Sequence, residues 1–123
     1  MGRFRFGQIV EAYISEGGRT KARPALIISS DEDNDDRDDL LVVAITRCIE
    51  HPLPEYHVIV QQDQKRDPVT GLSAPCVAKC NWVTEVKQSK VIRSLGRMPQ
   101  NLLESIVKAY DRIQADDGFN DWI

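Results

Sequence analysis

Six consecutive apolar residues, Leu40-Leu41-Val42-Val43-Ala44-Ile45, leave this segment no polar face to turn toward water. A run this short reads as one strand, and an unbroken one must be covered on both sides. It follows an acidic stretch and ends at Thr46. A second run, Arg23-Pro24-Ala25-Leu26-Ile27-Ile28-Ser29, sets a cation and a proline against a short apolar strand. Proline fixes its own backbone and pushes its predecessor into extended geometry, so Arg23 is expected at the mouth of a strand over 24–30. On this segment alone, Arg23 is either a strand end paired with a surface carboxylate or a rigidly held, accessible cation.

The remaining chain divides in the same way. Residues 7–14 alternate Ile9, Glu11 and Tyr13 against Val10, Ala12 and Ile14, which suits a first strand. Glu16, Gly17, Gly18, Arg19 and Lys21 then form a mobile, cationic loop ahead of Arg23. Further strands are expected over 56–60, 75–80 with 82–84, and 91–95, and in the first of these His57 faces away from Val58. Pro99 opens an amphipathic helix to about residue 115, with Leu102, Leu103, Ile106, Val107, Tyr110 and Ile113 along one side. Asp116-Asp117-Gly118 is expected to stop it, leaving a tail that carries Phe119 and Trp122. Several short strands and one terminal helix predict a mainly β, α+β domain: a small barrel with a helix over one opening.

Length and composition restrict the function classes. The 123 residues suffice for one domain, and 41% hydrophobic with 28% charged residues is ordinary for a globular protein. No apolar run approaches bilayer length, and Met1-Gly2-Arg3-Phe4-Arg5-Phe6 lacks the apolar segment of a signal peptide, so a cytoplasmic location is expected. Cys48, Cys76 and Cys80 are then expected as reduced thiols. Joined with His51 they have the composition of a zinc site, but the Cys76–Cys80 spacing within a strand argues against one, and no metal or cofactor is expected. Net charge is −3, yet residues 31–39 hold seven of the 19 acids and one of the 16 bases, leaving the rest of the chain net positive. That run does not fit an EF-hand, since it lacks the glycine and places Val42 where a glutamate is required. It is read as a solvated loop, with a docking patch or a screen against RNA as the functional alternatives.

Gly7-x-Ile9-Val10, Lys21-x-Arg23-Pro24-Ala25-Leu26, Ala44-Ile45-Thr46, Gly71-Leu72-x-x-Pro75-Cys76-Val77-x-Lys79 and Leu95-Gly96-Arg97-Met98 occur in that order ahead of the helix. This order resembles the MazF/PemK toxins over nearly the whole chain. The resemblance implies an SH3-like barrel over about 7–96, a homodimer, and the toxin of a type II toxin–antitoxin pair. Such a toxin cleaves single-stranded RNA without a metal, through attack by the ribose 2′-hydroxyl, and is held by a cognate antitoxin. It further implies catalytic roles for Arg23 and Thr46.

Arg19, Lys21, Arg47, Lys79 and Asn81 are expected to contact RNA. Lys79 stands where some relatives carry a functional arginine, and Asn81 near the place where some carry an aspartate. Asparagine cannot accept a proton at neutral pH, so Glu16 and His57 become the candidates for proton transfer. Two other function classes stay open: a binding module of this fold with weakened cleavage, and a topoisomerase-directed inhibitor like the related CcdB toxins, for which Phe119 and Trp122 would matter most.

Overall fold

A computed structural model describes residues 4–120, with side chains described for 4–115. Its order is β1 (Gln8–Glu16), β2 (Arg19–Ile27), α1 (Asp31–Asp36), β3 (Asp39–Thr46), β4 (His57–Gln61), β5 (Cys76–Lys87), a short 3-10 turn, β6 (Val91–Arg97) and α2 (Gln100–Asn120). The strands form one antiparallel sheet in the order β4-β5-β3-β2-β1-β6. Register shifts in β1–β6, β3–β5 and β4–β5 mark bulges, which bend strands and curl the sheet into a half-barrel. A loop joins its two edges: the Arg97 N–H donates to Val69 O at 2.9 Å, so the β4–β5 connection seals against β6.

Both faces of the sheet are covered, as the unbroken run in β3 requires. Ile9, Leu26, Val43, Ile45, Ala78 and Cys80 meet Leu103 and Ile106 of α2 on one face. Phe4, Val10, Ala12, Ala25, Ile27, Val42 and Ala44 form a second cluster on the other. At about 25 cal/mol per Å² of apolar surface, each fully buried Ile, Leu or Val contributes roughly 1.5–3 kcal/mol, so these clusters dominate the stability.

Three expectations change. Residues 19–22 are the first part of β2 rather than a mobile loop, because Gly17 (φ 56°) and Gly18 (φ 81°) supply the two left-handed residues of a tight hairpin that pairs Glu16 with Arg19. Arg23 accordingly lies inside β2, opposite Ala12, and not at its start. The acidic run is also not simply a loop: Ser30 caps α1 by accepting from the Asp33 N–H, and the acidic first turn suits the helix dipole. Fully buried Asn34 anchors that helix, accepting from Ser29 Oγ at 2.5 Å and donating to Ser29 O at 3.2 Å.

Finally, α2 continues past Asp116-Asp117-Gly118 to Asn120, since a helical glycine costs only about 1 kcal/mol. The Phe119 side chain and all of Trp122 lie outside the described residues. No helix among the described residues is long and apolar enough to cross a membrane.

Candidate active site

β2 parts from β3 at Pro24. Pairing of β2 with β3 covers only Ala25, Leu26 and Ile27, and Thr46 ends β3 two residues beyond Ala44, the partner of Ala25. Pro24 is tolerated here because the ladder on that side has already ended, so its missing donor leaves no β3 carbonyl unpaired. A groove of about 650 Å³ opens at this divergence, lined by Arg23 and Pro24 from β2, Thr46 at the end of β3 and Arg47 just after it, Lys79 and Trp82 from β5, and Arg93 from β6.

Arg23 is held on several sides. Its side chain is 19% exposed, Nη2 lies 3.4 Å from Glu16 Oε1, and Cζ lies 5.2 Å from the Trp82 ring centroid. Its Nε is buried and has no hydrogen-bond partner among the described residues. A buried donor left unpaired costs about 1–3 kcal/mol. Thr46 is buried and its Oγ1 accepts from the Cys48 N–H at 3.2 Å. The backbone thus fixes the hydroxyl as an acceptor and leaves its own proton to donate toward the groove.

A bulge brings in β5. Val43 pairs with Val83 and Ile45 with Ala78, so one residue of β3 stands against residues 79–82, which bow out of the ladder. Lys79 Nζ then lies 5.9 Å from the Trp82 centroid. At the other end, Arg93 Nε donates to Glu11 Oε1 at 3.0 Å. Glycines close the floor: a Cβ on Gly96 would stand 2.1 Å from Val69 O, and one on Gly71 2.1 Å from Leu95 O.

Six of the nine residues singled out in the sequence line this groove: Arg23, Thr46, Lys21, Arg47, Lys79 and Glu16. The other three do not. Arg19 is exposed on the hairpin beside its turn. Asn81 is exposed on the bulge, near enough to His57 to raise its pKa. His57 pairs with Lys79 across β4–β5 but is only 6% exposed, and its Nδ1, 3.9 Å from Glu50 Oε2, lacks a hydrogen-bond partner among the described residues. Burial, reinforced by Lys79, lowers its pKa against the opposing effects of Glu50 and Asn81, and it does not line the groove.

Sequence reasoning missed Glu11, Trp82 and Arg93. Their polar or aromatic character within strands is visible, but only the strand register brings them to one place.

Cys76 and Cys80 are buried, and burial pushes both thiols up to about 11, while Cys48 is exposed. Among the described residues no group of three or more His, Cys, Asp or Glu side chains is placed to hold a metal ion.

The sequence model of a family described as PemK-like, MazF-like toxin of type II toxin-antitoxin system matches residues 5–113. No sequence among the curated proteins matches the chain. Solved structures share the fold. An endoribonuclease from Mycobacterial species superposes with a TM-score of 0.71 at 18% identity, covering 94% of each chain. An endoribonuclease in complex with its cognate antitoxin, also from Mycobacterial species, gives 0.69 at 19% identity over 91% of this chain and 95% of that one. MazF from Deinococcus radiodurans gives 0.72 at 15% identity over 91% and 96%.

Proposed function

We propose, from the premise that the chain belongs to the PemK-like, MazF-like toxins of type II toxin–antitoxin systems, that it is an endoribonuclease cutting single-stranded RNA in the Arg23 groove. The observation that carries this reading is the convergence of Arg23 and Thr46, from different strands, on one groove that also holds Glu16. Cleavage by internal attack needs a proton acceptor for the 2′-hydroxyl, charge stabilisation at phosphorus and fixed geometry. Glu16 takes the proton as the 2′ oxygen bonds to phosphorus. The P–O5′ bond then breaks and the leaving O5′ takes a proton from water, giving a cyclic 2′,3′-phosphate and a 5′-hydroxyl. Arg23 sets its planar fork on the phosphate oxygens, and its place inside β2 fixes where that fork can reach. Thr46 donates its hydroxyl proton to the same phosphate. Lys21, Arg47 and Lys79 hold the flanking backbone.

The protein works in the cytoplasm as a homodimer and is restrained by a cognate antitoxin. The antitoxin complexes among structures of this fold support that last element. The test is incubation of a long unstructured RNA with purified protein in the presence of a chelator. Wild type should leave cyclic phosphate ends. Arg23→Ala should lose about 10²–10³-fold in rate, and Glu16→Gln about 10²–10⁴-fold. Intact RNA with wild type, or equal cutting by Arg23→Ala, would remove the assignment.

A further inference from the structure

Trp82 is an unusual wall for a groove built to hold phosphates. Its side chain is partly buried against the second core cluster, which restricts it. It also lines the groove, where Arg23 Cζ and Lys79 Nζ lie 5.2 and 5.9 Å from its centroid. A ring approached by two side-chain cations from the groove has π surface that the core does not cover. Both cations have a stronger partner once a nucleic acid enters, because a phosphate offers charge and hydrogen bonds where the ring offers only its quadrupole. Their transfer to phosphates leaves a rigid aromatic surface beside the reacting phosphate.

We propose that Trp82 is the nucleobase platform of this groove, stacking the base of a nucleotide whose phosphate is held by Arg23 and Lys79. The proposal rests on the endoribonuclease reading and adds to it the place where a base is bound. Stacking contributes about 1–3 kcal/mol per base and tolerates any base, with purines offering the larger overlap. Phosphate contacts and the base contact are thereby separated: Arg23, Lys79 and Arg47 grip any backbone, whereas Trp82 requires that the backbone carry a base.

The test uses two probes of about ten nucleotides, matching the usual span of such sites: a 2′-O-methyl oligoadenylate, which cannot be cut, and an abasic chain of equal length and charge. Binding is followed by tryptophan emission and by anisotropy. Wild type should prefer the base-bearing probe by about tenfold or more, with quenched emission. That preference should fall to near unity in Trp82→Leu and persist in Trp82→Phe, while the abasic probe binds all three alike. A loss of affinity for both probes together in Trp82→Leu would mean that the ring only props up Arg23, and would overturn the platform. So would an unchanged preference in Trp82→Leu.

The chain has two tryptophans, so quenching that survives in Trp82→Phe would come from Trp122 and count against the proposal, whether or not Trp82→Leu folds. Cleavage assays on the same samples separate this inference from its premise. Wild type that cuts RNA with a Trp82-independent preference keeps the nuclease and loses the platform. Wild type that fails to cut but shows the Trp82-dependent preference loses the nuclease and keeps a nucleobase site.

Discussion

Arg23 shows what one position needs before it can carry chemistry. Proline next to it, the Glu16 carboxylate and the Trp82 ring restrict a long flexible side chain, which would otherwise lose about 2 kcal/mol of rotamer entropy on binding. Its planar fork is the reason lysine is not equivalent here, and Arg23→Lys should retain RNA affinity better than it retains rate. His57 makes the opposite case. It is an ionisable group whose charged form the fold disfavours. Its pKa is depressed below the ordinary 6.5, so the unfolded chain takes up its proton first as pH falls, and the native state loses stability below about pH 6.5. The Lys79 ammonium and the Glu50 carboxylate face it, with Lys79 prevailing alongside burial. Thermal melts at about pH 7.5 and 5.5 should show a larger acid-induced drop for wild type than for His57→Gln. Equal drops would mean that His57 is free to titrate.

Among the elements, the hairpin and the β4–β5 loop do most to shape the groove. The hairpin projects because its two glycines accept positive φ and because β3 stops pairing at Ala25, which leaves one side of the ribbon open. The loop seals the barrel because Gly71 and Gly96 let its backbone lie against β6. Replacing Gly96 by Ala puts a methyl 2.1 Å from Val69 O, so the loop must lift. Gly96→Ala should lose about 1–3 kcal/mol in chemical denaturation and loosen the groove wall, raising KM more than a distant core change of equal cost. Ile106→Val, on the buried face of α2, serves as that control, at about 0.5–1.5 kcal/mol.

At the scale of the molecule, charge is divided along β3. The acidic α1 precedes its start at Asp39, and the cationic groove lies at its end, Thr46, roughly 23 Å away at about 3.3 Å per residue. That exceeds the roughly 8 Å Debye length at physiological salt, so the acidic run should act on approach at low salt and hardly at all on bound RNA. The double variant Asp33→Asn with Asp36→Asn should change affinity by less than about twofold at physiological salt. Lys79→Ala should reduce the slope of log affinity against log salt by about 0.7, the value for one phosphate contact on a single strand. A large effect of the acidic variant at high salt would place RNA on α1 instead of in the groove.

The sequence by itself determined the order of strands, the doubly covered β3, the terminal helix, and the family to which Arg23 and Thr46 belong. These are local or linear properties: burial pattern, proline and glycine positions, and the spacing of short motifs. It misplaced the boundary of β2 and read α1 as a loop, and it did not show that Arg19, Asn81 and His57 stand apart from the groove. Each error has one cause. Whether a glycine pair ends a strand or turns a hairpin, and whether an acidic run is solvated or anchored through Asn34, depends on partners distant in sequence. Only the tertiary structure decided which candidates share a groove, because the bulge over residues 79–82 and the departure of β3 from β2 set the directions in which side chains point. Trp82 belongs to that second class: an ordinary strand aromatic in the sequence, and in the fold the ring beneath the two cations that would grip RNA.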